Sequence, residues 1–193
     1  PSTRFMGSKS KLLTEIWDVS KKFKPDKVLD LFSGSGAVAY MFKAQGCEVM
    51  ANDYMAMSAV QTTALVVNNS VRLTSDDVTF LLSENADSGT FVQDTFKGLY
   101  FKDEENALID TIRFNITQLE QEAKQSLAMA SLMRACLKKR PRGLFTYVGH
   151  RYDDGRRDLR LSFEEQFRDA VTAMNNAVFD NGRENISRRG EAL

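Results

Sequence analysis

The sequence predicts an α/β fold with a small parallel sheet. A short apolar segment, residues 27–31, leads through a glycine-containing turn into a helical segment, residues 37–44, and then into a second apolar segment, residues 47–51. This order predicts two neighbouring parallel strands joined by a right-handed crossover. A further strand is predicted at residues 185–188. Three strands are too few for a doubly wound sheet, so we expect a partial Rossmann-like sheet that residues outside this chain complete.

The remaining segments are predicted mainly from helical periodicity. Helices are expected at residues 11–23, 55–68, 106–119, 126–137 and 162–178, and residues 70–95 are polar and interrupted. Ser162 and Glu165 have the spacing of a capping box at the start of the last helix. We therefore expect three parts: residues 1–68 and 184–193 in the sheet domain, and residues 69–183 as an inserted, mainly helical domain.

Composition restricts the class of protein. The chain has 26 basic and 26 acidic residues and is 42% hydrophobic, which is ordinary for a soluble domain. No apolar run is long enough to cross a membrane, and there is no signal-peptide pattern. Cys47 and Cys136 lack metal-ligand spacing and suit a reducing compartment. We expect a cytoplasmic protein with no membrane partner and no metal.

The most informative segment is the turn after the first strand, residues 28–37, VLDLFSGSGA. Gly34 and Gly36, with Asp53 after the second strand, lie where open α/β sheets bind ligands, and their spacing also permits a dinucleotide. Asp30 argues against a dinucleotide, because its carboxylate would repel a pyrophosphate on the helix N-terminus. S-adenosylmethionine has an ammonium and a sulfonium but no phosphate. Asp30 therefore favours S-adenosylmethionine as the cofactor.

Two segments together resemble a known family. The turn DLFSGSG resembles the first motif of amino-methyltransferases that act on DNA, and residues 4–9, RFMGSK, resemble the motif that precedes it in Dam-like adenine-N6 DNA methyltransferases. Softer similarity extends to residues 189–193. The resemblance implies bacterial restriction–modification as the setting. It also implies, together with the residue analysis, a cofactor site made of Phe5, Met6, Gly7, Lys9, Asp30, Phe32, Ser33, Gly34, Ser35, Gly36, Asp53, Tyr54 and Glu191.

The chain lacks the catalytic Asp-Pro-Pro-Tyr tetrad of that family. Its only prolines are Pro1, Pro25 and Pro141. In the family the tetrad binds the amino group of the target base and stacks on it. No catalytic residue is therefore predicted here, and the isolated chain is expected to be inactive. We expect the tetrad on a C-terminal half or on a second subunit.

Basic residues are concentrated between residues 134 and 160, with aromatic residues among them. A strand at residues 143–149 and a turn at 154–155 suggest a hairpin that contacts double-stranded DNA. A solvated charged loop is the alternative. The resemblance places target recognition in this part of the chain. The predicted DNA-binding residues are Lys138, Lys139, Arg140, Arg142, Tyr147, His150, Arg151, Arg156 and Arg157.

The sequence leaves several functions open. The main hypothesis is that the chain supplies cofactor binding and target recognition for methylation of adenine N6 in DNA. A non-enzymatic DNA- or partner-binding module derived from such an enzyme is the alternative. A small-molecule methyltransferase leaves the N-terminal motif and the basic segment without a role. Methylation of cytosine N4 also remains open, because the missing tetrad distinguishes the two bases.

Overall fold

The chain folds into two compact units. The structure is a computed structural model that describes residues 7–139, 155 and 157–192. Unit 1 comprises residues 1–72 and 176–193, and unit 2 comprises residues 73–175. The sequence analysis places the boundaries at residues 68 and 184 instead, and its assignment of an inserted domain stays a prediction.

Unit 1 contains a three-stranded parallel sheet. Its strands are β1 (Lys27–Asp30), β2 (Glu48–Asp53) and β3 (Ile186–Arg189), in the order β1-β2-β3. Leu29 lies opposite Met50, and Met50 lies opposite Ile186. The α/β class and the small parallel sheet predicted from the sequence are thus confirmed.

The described part of unit 1 also contains helical segments. They are α1 (Leu13–Ser20), a 3-10 turn (Lys21–Phe23), α2 (Ala37–Ala44), α3 (Ala56–Thr62) and a π-helical turn (Thr63–Val67). Val49 and Ala51 of β2 are buried in a cluster with Phe42 of α2, and Trp17 of α1 meets the Phe42 ring edge-on at 6.1 Å between centroids. Burial of these side chains fixes β2 and α2 together, which in turn holds the loop between β1 and α2.

The opposite face of the sheet is open to solvent. Side chains alternate between faces along a strand, so Leu29, Met50 and Ile186 lie side by side on the face away from Val49 and Ala51. Leu29 is 56% exposed and Met50 is 37% exposed. Within the described part of the chain β1 also pairs on one side only, with β2. We call Leu29, Met50 and Ile186 the apolar row.

The described part of unit 2 is helical. Its helices are α4 (Ser75–Leu82), α5 (Phe91–Thr95), α6 (Asp103–Thr117), α7 (Glu122–Lys139), α8 (Arg157–Arg160) and α9 (Phe163–Asn175). Helices α7 and α9 pack together, and Phe163 contacts the Phe101 ring at 6.0 Å between centroids. The predicted capping box is confirmed, because Glu165 N–H donates to Ser162 Oγ at 3.1 Å and Ser162 N–H donates to Glu165 Oε2 at 2.7 Å.

One part of unit 2 differs from the sequence prediction, and another lies outside the described residues. Residues 70–95 contain α4 and α5 and are not simply an interrupted polar stretch. Helix α4 begins at a capping box in which Thr74 and Asp77 bond each other's backbone N–H groups. The predicted strand at residues 143–149 and its hairpin turn lie outside the described residues.

Candidate cofactor-binding site

The loop between β1 and α2 requires its glycines. Gly34 and Gly36 adopt left-handed backbone conformations, with φ of 51° and 72°. L-residues with a side chain rarely adopt such angles. At Gly36 a Cβ atom would also lie 3.2 Å from Thr62 Cγ2, at the end of α3. The loop therefore packs closely on α3 and presents bare backbone at the carboxyl end of the sheet.

Asp30, the last residue of β1, has a buried oxygen without a partner. Its Oδ2 is buried and makes no hydrogen bond in the described structure. Burial raises the pKa of this carboxyl, and the nearby charge of Asp53 raises it further, whereas backbone hydrogen bonds from Phe32 and Ala39 act in the opposite direction. Ser33 Oγ is likewise buried without a partner. Unsatisfied buried polar groups are uncommon in folded proteins. These two belong to the end of β1 and the glycine loop, whereas Ser58 Oγ, Asn69 Oδ1 and Asn106 Oδ1 are buried without a partner elsewhere in the described residues.

Asp53, the last residue of β2, is fixed by backbone donors. Its Oδ2 accepts a hydrogen bond from Gly34 N–H at 2.8 Å, and its Oδ1 accepts one from Met55 N–H at 2.8 Å. The side chain is buried, yet each carboxylate oxygen has a second lone pair. Asp53 thus holds the glycine loop against β2 and retains acceptor capacity.

Asn52 is a site residue that the sequence analysis missed. Its side-chain Nδ2 donates to Leu31 O and to Gly190 O, both at 3.2 Å, and its backbone carbonyl accepts from Ser33 N–H at 3.0 Å. It therefore connects the segments that follow β1 and β3. Its position directly before Asp53 was the available signal, but the two carbonyls it binds cannot be identified from sequence.

The other predicted cofactor residues lie around this loop or at its margins. Ser35 Oγ is 3.0 Å from Ser8 Oγ, so the predicted N-terminal motif reaches the glycine loop. Phe32 and Tyr54 are 76% and 69% exposed at the carboxyl ends of β1 and β2. Gly7, Lys9 and Glu191 are exposed. Phe5 and Met6 lie outside the described residues.

The predicted DNA-binding residues are described only in part. Arg140, Arg142, Tyr147, His150, Arg151 and Arg156 lie outside the described residues. Lys139 Nζ pairs with Glu105 Oε1 at 2.9 Å and is only 14% exposed, so its charge is used inside unit 2. Lys138 pairs with Asp158 at 3.3 Å and is 38% exposed, and Arg157 is exposed at the start of α8.

The described residues lack both a metal-binding cluster and a membrane-spanning helix. They contain no group of three or more His, Cys, Asp or Glu side chains that could hold a metal ion. None of the helices in that part of the chain has both the length and the apolar character needed to cross a membrane.

Comparison with known proteins identifies a family for the chain. The sequence profile described as "D12 class N6 adenine-specific DNA methyltransferase" matches residues 5–191. The chain is 32% identical over 195 residues to the type II methyltransferase M2.HphI of Haemophilus parahaemolyticus. That alignment covers 94% of this chain but 57% of the relative, so the chain spans little more than half of the relative's length. No solved structure matches the chain.

Proposed function

Since the chain belongs to the D12 class of N6 adenine-specific DNA methyltransferases, we propose that it binds S-adenosylmethionine and takes part in methylating adenine N6 in DNA. The observation that carries the cofactor assignment is the buried Oδ2 of Asp30, which has no partner beside the glycine loop. An ammonium group satisfies such an acceptor, whereas a pyrophosphate would be repelled by it.

The residues at the carboxyl end of the sheet fit the proposed cofactor. Asp30 would accept the ammonium, and the bare backbone at Gly34 and Gly36 would allow close approach of the methionyl part. Asp53, which keeps a free lone pair on each oxygen, would accept from the ribose hydroxyls. When bound, S-adenosylmethionine would supply an electrophilic methyl group on a sulfonium. The contribution of this chain is to orient that group and to exclude other cofactors.

The groups that hold the target base are proposed to come from elsewhere. The sequence contains no Pro-Pro pair and hence no Asp-Pro-Pro-Tyr. Three observations support a complementing C-terminal half or second subunit: the solvent-exposed apolar row, the unpaired side of β1 in the described structure, and the greater length of the relative. All-parallel sheets are normally covered on both faces. The complementing polypeptide would cover this face, and the isolated chain would be inactive.

Unit 2 is proposed to recognise the target sequence in double-stranded DNA, as the Dam-like order of segments implies. Supporting this, Lys138 and Arg157 retain exposed surface on either side of the basic segment between them. Phosphate contacts from such residues position the protein, and contacts to base edges specify the sequence. Lys139 is assigned a structural role in this proposal, because it is paired with Glu105.

A non-enzymatic module that retains this fold is the second candidate, and the absent tetrad is the observation that favours it. The methyltransferase must bind S-adenosylmethionine, whereas the non-enzymatic module binds it only if the cofactor site is intact. Titration calorimetry of the chain with S-adenosylmethionine, with NAD as the comparison ligand, tests the site. We expect binding of the first ligand only.

The decisive variant is Asp30→Ala, with Asp26→Ala as its control. Asp26 lies just before β1 and pairs with Arg183 at 2.6 Å, far along the strand from the glycine loop. Loss of binding in D30A but not in D26A supports the proposal. Absence of binding by the unsubstituted chain, or binding of NAD instead, contradicts it. Transfer of a tritiated methyl group to DNA, measured with the full-length coding sequence, then separates the enzyme from the non-enzymatic module.

A further inference from the structure

We infer that Asn52 is a positioning residue that fixes the segments after β1 and β3 in the geometry which the cofactor requires. The identity of the ligand rests on the function proposed above. Asn52 is not proposed to contact the cofactor. Its role follows from the hydrogen bonds it makes within unit 1.

Several hydrogen bonds end at Asn52. Both N–H groups of its amide are used, one on Leu31 O and one on Gly190 O, each at 3.2 Å. Its backbone carbonyl receives Ser33 N–H at 3.0 Å. One residue at the end of the central strand therefore bonds both neighbouring segments, on opposite sides.

Asp53, the next residue, also binds the segments that follow β1 and β3. Gly34 N–H donates to the Asp53 carboxylate at 2.8 Å, and Gly190 N–H donates to the Asp53 backbone carbonyl at 3.1 Å. Together these two residues hold three backbone groups of the glycine loop and both backbone polar groups of Gly190. We call this set of five hydrogen bonds the β2 clamp.

Asparagine is specifically suited to position 52. Two N–H groups on one short planar amide reach two carbonyls at once. Alanine has no side-chain donor, serine has one, and an ionised aspartate has the same shape as asparagine but no donor. Asn52 also lies beside Gly190, since a Cβ atom built there would be in ordinary van der Waals contact with Asn52 Oδ1, at 3.8 Å. The clamp thus sets where Glu191, the next residue, leaves the sheet.

The chain offers a matched control at the other end of β2. Asn181 Nδ2 donates to Lys43 O at 3.2 Å and to Cys47 O at 2.8 Å, just before β2 begins. Both asparagines therefore bridge two backbone carbonyls in unit 1. They differ in which end of the sheet they stabilise.

The experiment compares N52A, N52D and N181A by three measurements. Titration calorimetry with S-adenosylmethionine gives affinity, thermal unfolding gives stability, and amide hydrogen exchange reports on Ser33, Gly34 and Gly190. We expect N52A and N52D to bind about tenfold more weakly, which is about 1.4 kcal/mol. We expect N181A to lose similar stability while keeping affinity within about twofold. Exchange at the three amides should accelerate in the Asn52 variants only.

Several outcomes would overturn the inference. Wild-type affinity in N52A and N52D, or an equal loss of affinity in N181A, would show that Asn52 acts only on general stability. Failure of the unsubstituted chain to bind S-adenosylmethionine would overturn the proposed function instead. In that case exchange still decides: unchanged rates at Ser33, Gly34 and Gly190 in N52A would exclude the clamp, and accelerated rates would support it.

Discussion

The two ends of the sheet in unit 1 use similar polar residues with opposite results. At the amino end, Asn185 Oδ1 accepts Val49 N–H at 2.9 Å, Asn185 Nδ2 donates to Asn181 Oδ1 at 3.0 Å, and Arg183 pairs with Asp26. At the carboxyl end, Asp30 Oδ2 and Ser33 Oγ are buried without partners. Buried polar atoms without a partner also occur elsewhere, including Asn69 Oδ1 near Arg183, but at the carboxyl end two of them belong to the strand end and the glycine loop that follows it. A polar group that is satisfied within the protein stabilises the fold, and one that is buried and unsatisfied lowers stability unless a ligand completes it.

The strongest test of this contrast is Asp30→Asn. The substitution removes the charge that a cationic ligand needs, so we expect affinity for S-adenosylmethionine to fall about 10- to 100-fold. It should also raise the free energy of unfolding at pH 7, because burial raises the pKa of Asp30 from 3.8 and makes its ionised form costly. Calorimetry and urea unfolding measure the two effects. Unchanged affinity would contradict the ligand role, and a loss of stability at pH 7 would contradict the cost assigned to the buried charge.

The pH dependence of binding sharpens the same point. Asp30 must be ionised to hold a cation, and its raised pKa means that protonation competes at a higher pH than for an ordinary aspartate. We expect affinity to decrease as pH falls through this raised pKa, by up to about tenfold per pH unit. D30N should lack that dependence. Its stability advantage should be complete above the raised pKa and disappear below pH 3.8, where both folded and unfolded wild type are protonated.

One glycine at each end of the sheet adopts a left-handed backbone conformation, so the two ends can be compared by substituting them. Gly36 at the carboxyl end and Gly46 at the amino end have φ of 72° and 84°, but only Gly36 is crowded, by Thr62. Both G36A and G46A should lose about 1–2 kcal/mol from the left-handed conformation. G36A should lose more, because Thr62 must move, and should weaken cofactor binding about tenfold. Equal stability losses and equal affinities in the two variants would argue against a shaped glycine loop.

The smallest effect on binding is expected for Asn185→Ala. The variant leaves the buried Val49 N–H without its acceptor, which costs about 1–3 kcal/mol of stability. Affinity for S-adenosylmethionine should change by less than about twofold, as measured well below the unfolding temperature. A large loss of affinity would mean that the two ends of the sheet are coupled.

Local patterns predicted much of unit 1. The strands, the crossover helix and the roles suggested for Asp30, Gly34 and Gly36 follow from residues close together in the chain. Asn52 was missed because one of its partners, Gly190, is 138 residues away. Such a bond depends on how strands pair, and single-sequence patterns do not report it.

Unit 2 shows the same division between local and distant signals. Helix α4 was missed because residues 70–95 were judged by their polar composition, although the Thr74–Asp77 capping box is a local signal for a helix start. Lys139 is predicted to bind DNA because it is close in sequence to the basic segment, and that role stays a prediction. Its partner Glu105 lies on another helix, and only the folded unit brings the two charges together.

The apolar row bears on how readily uncovered copies of the chain would aggregate or be cleared in a cell. An exposed apolar surface beside an unpaired strand edge favours aggregation and recognition by chaperones. On the proposal that a complementing polypeptide covers the row, chains made in excess of that polypeptide would be cleared. Incomplete assembly would thereby limit how many unpartnered cofactor sites accumulate.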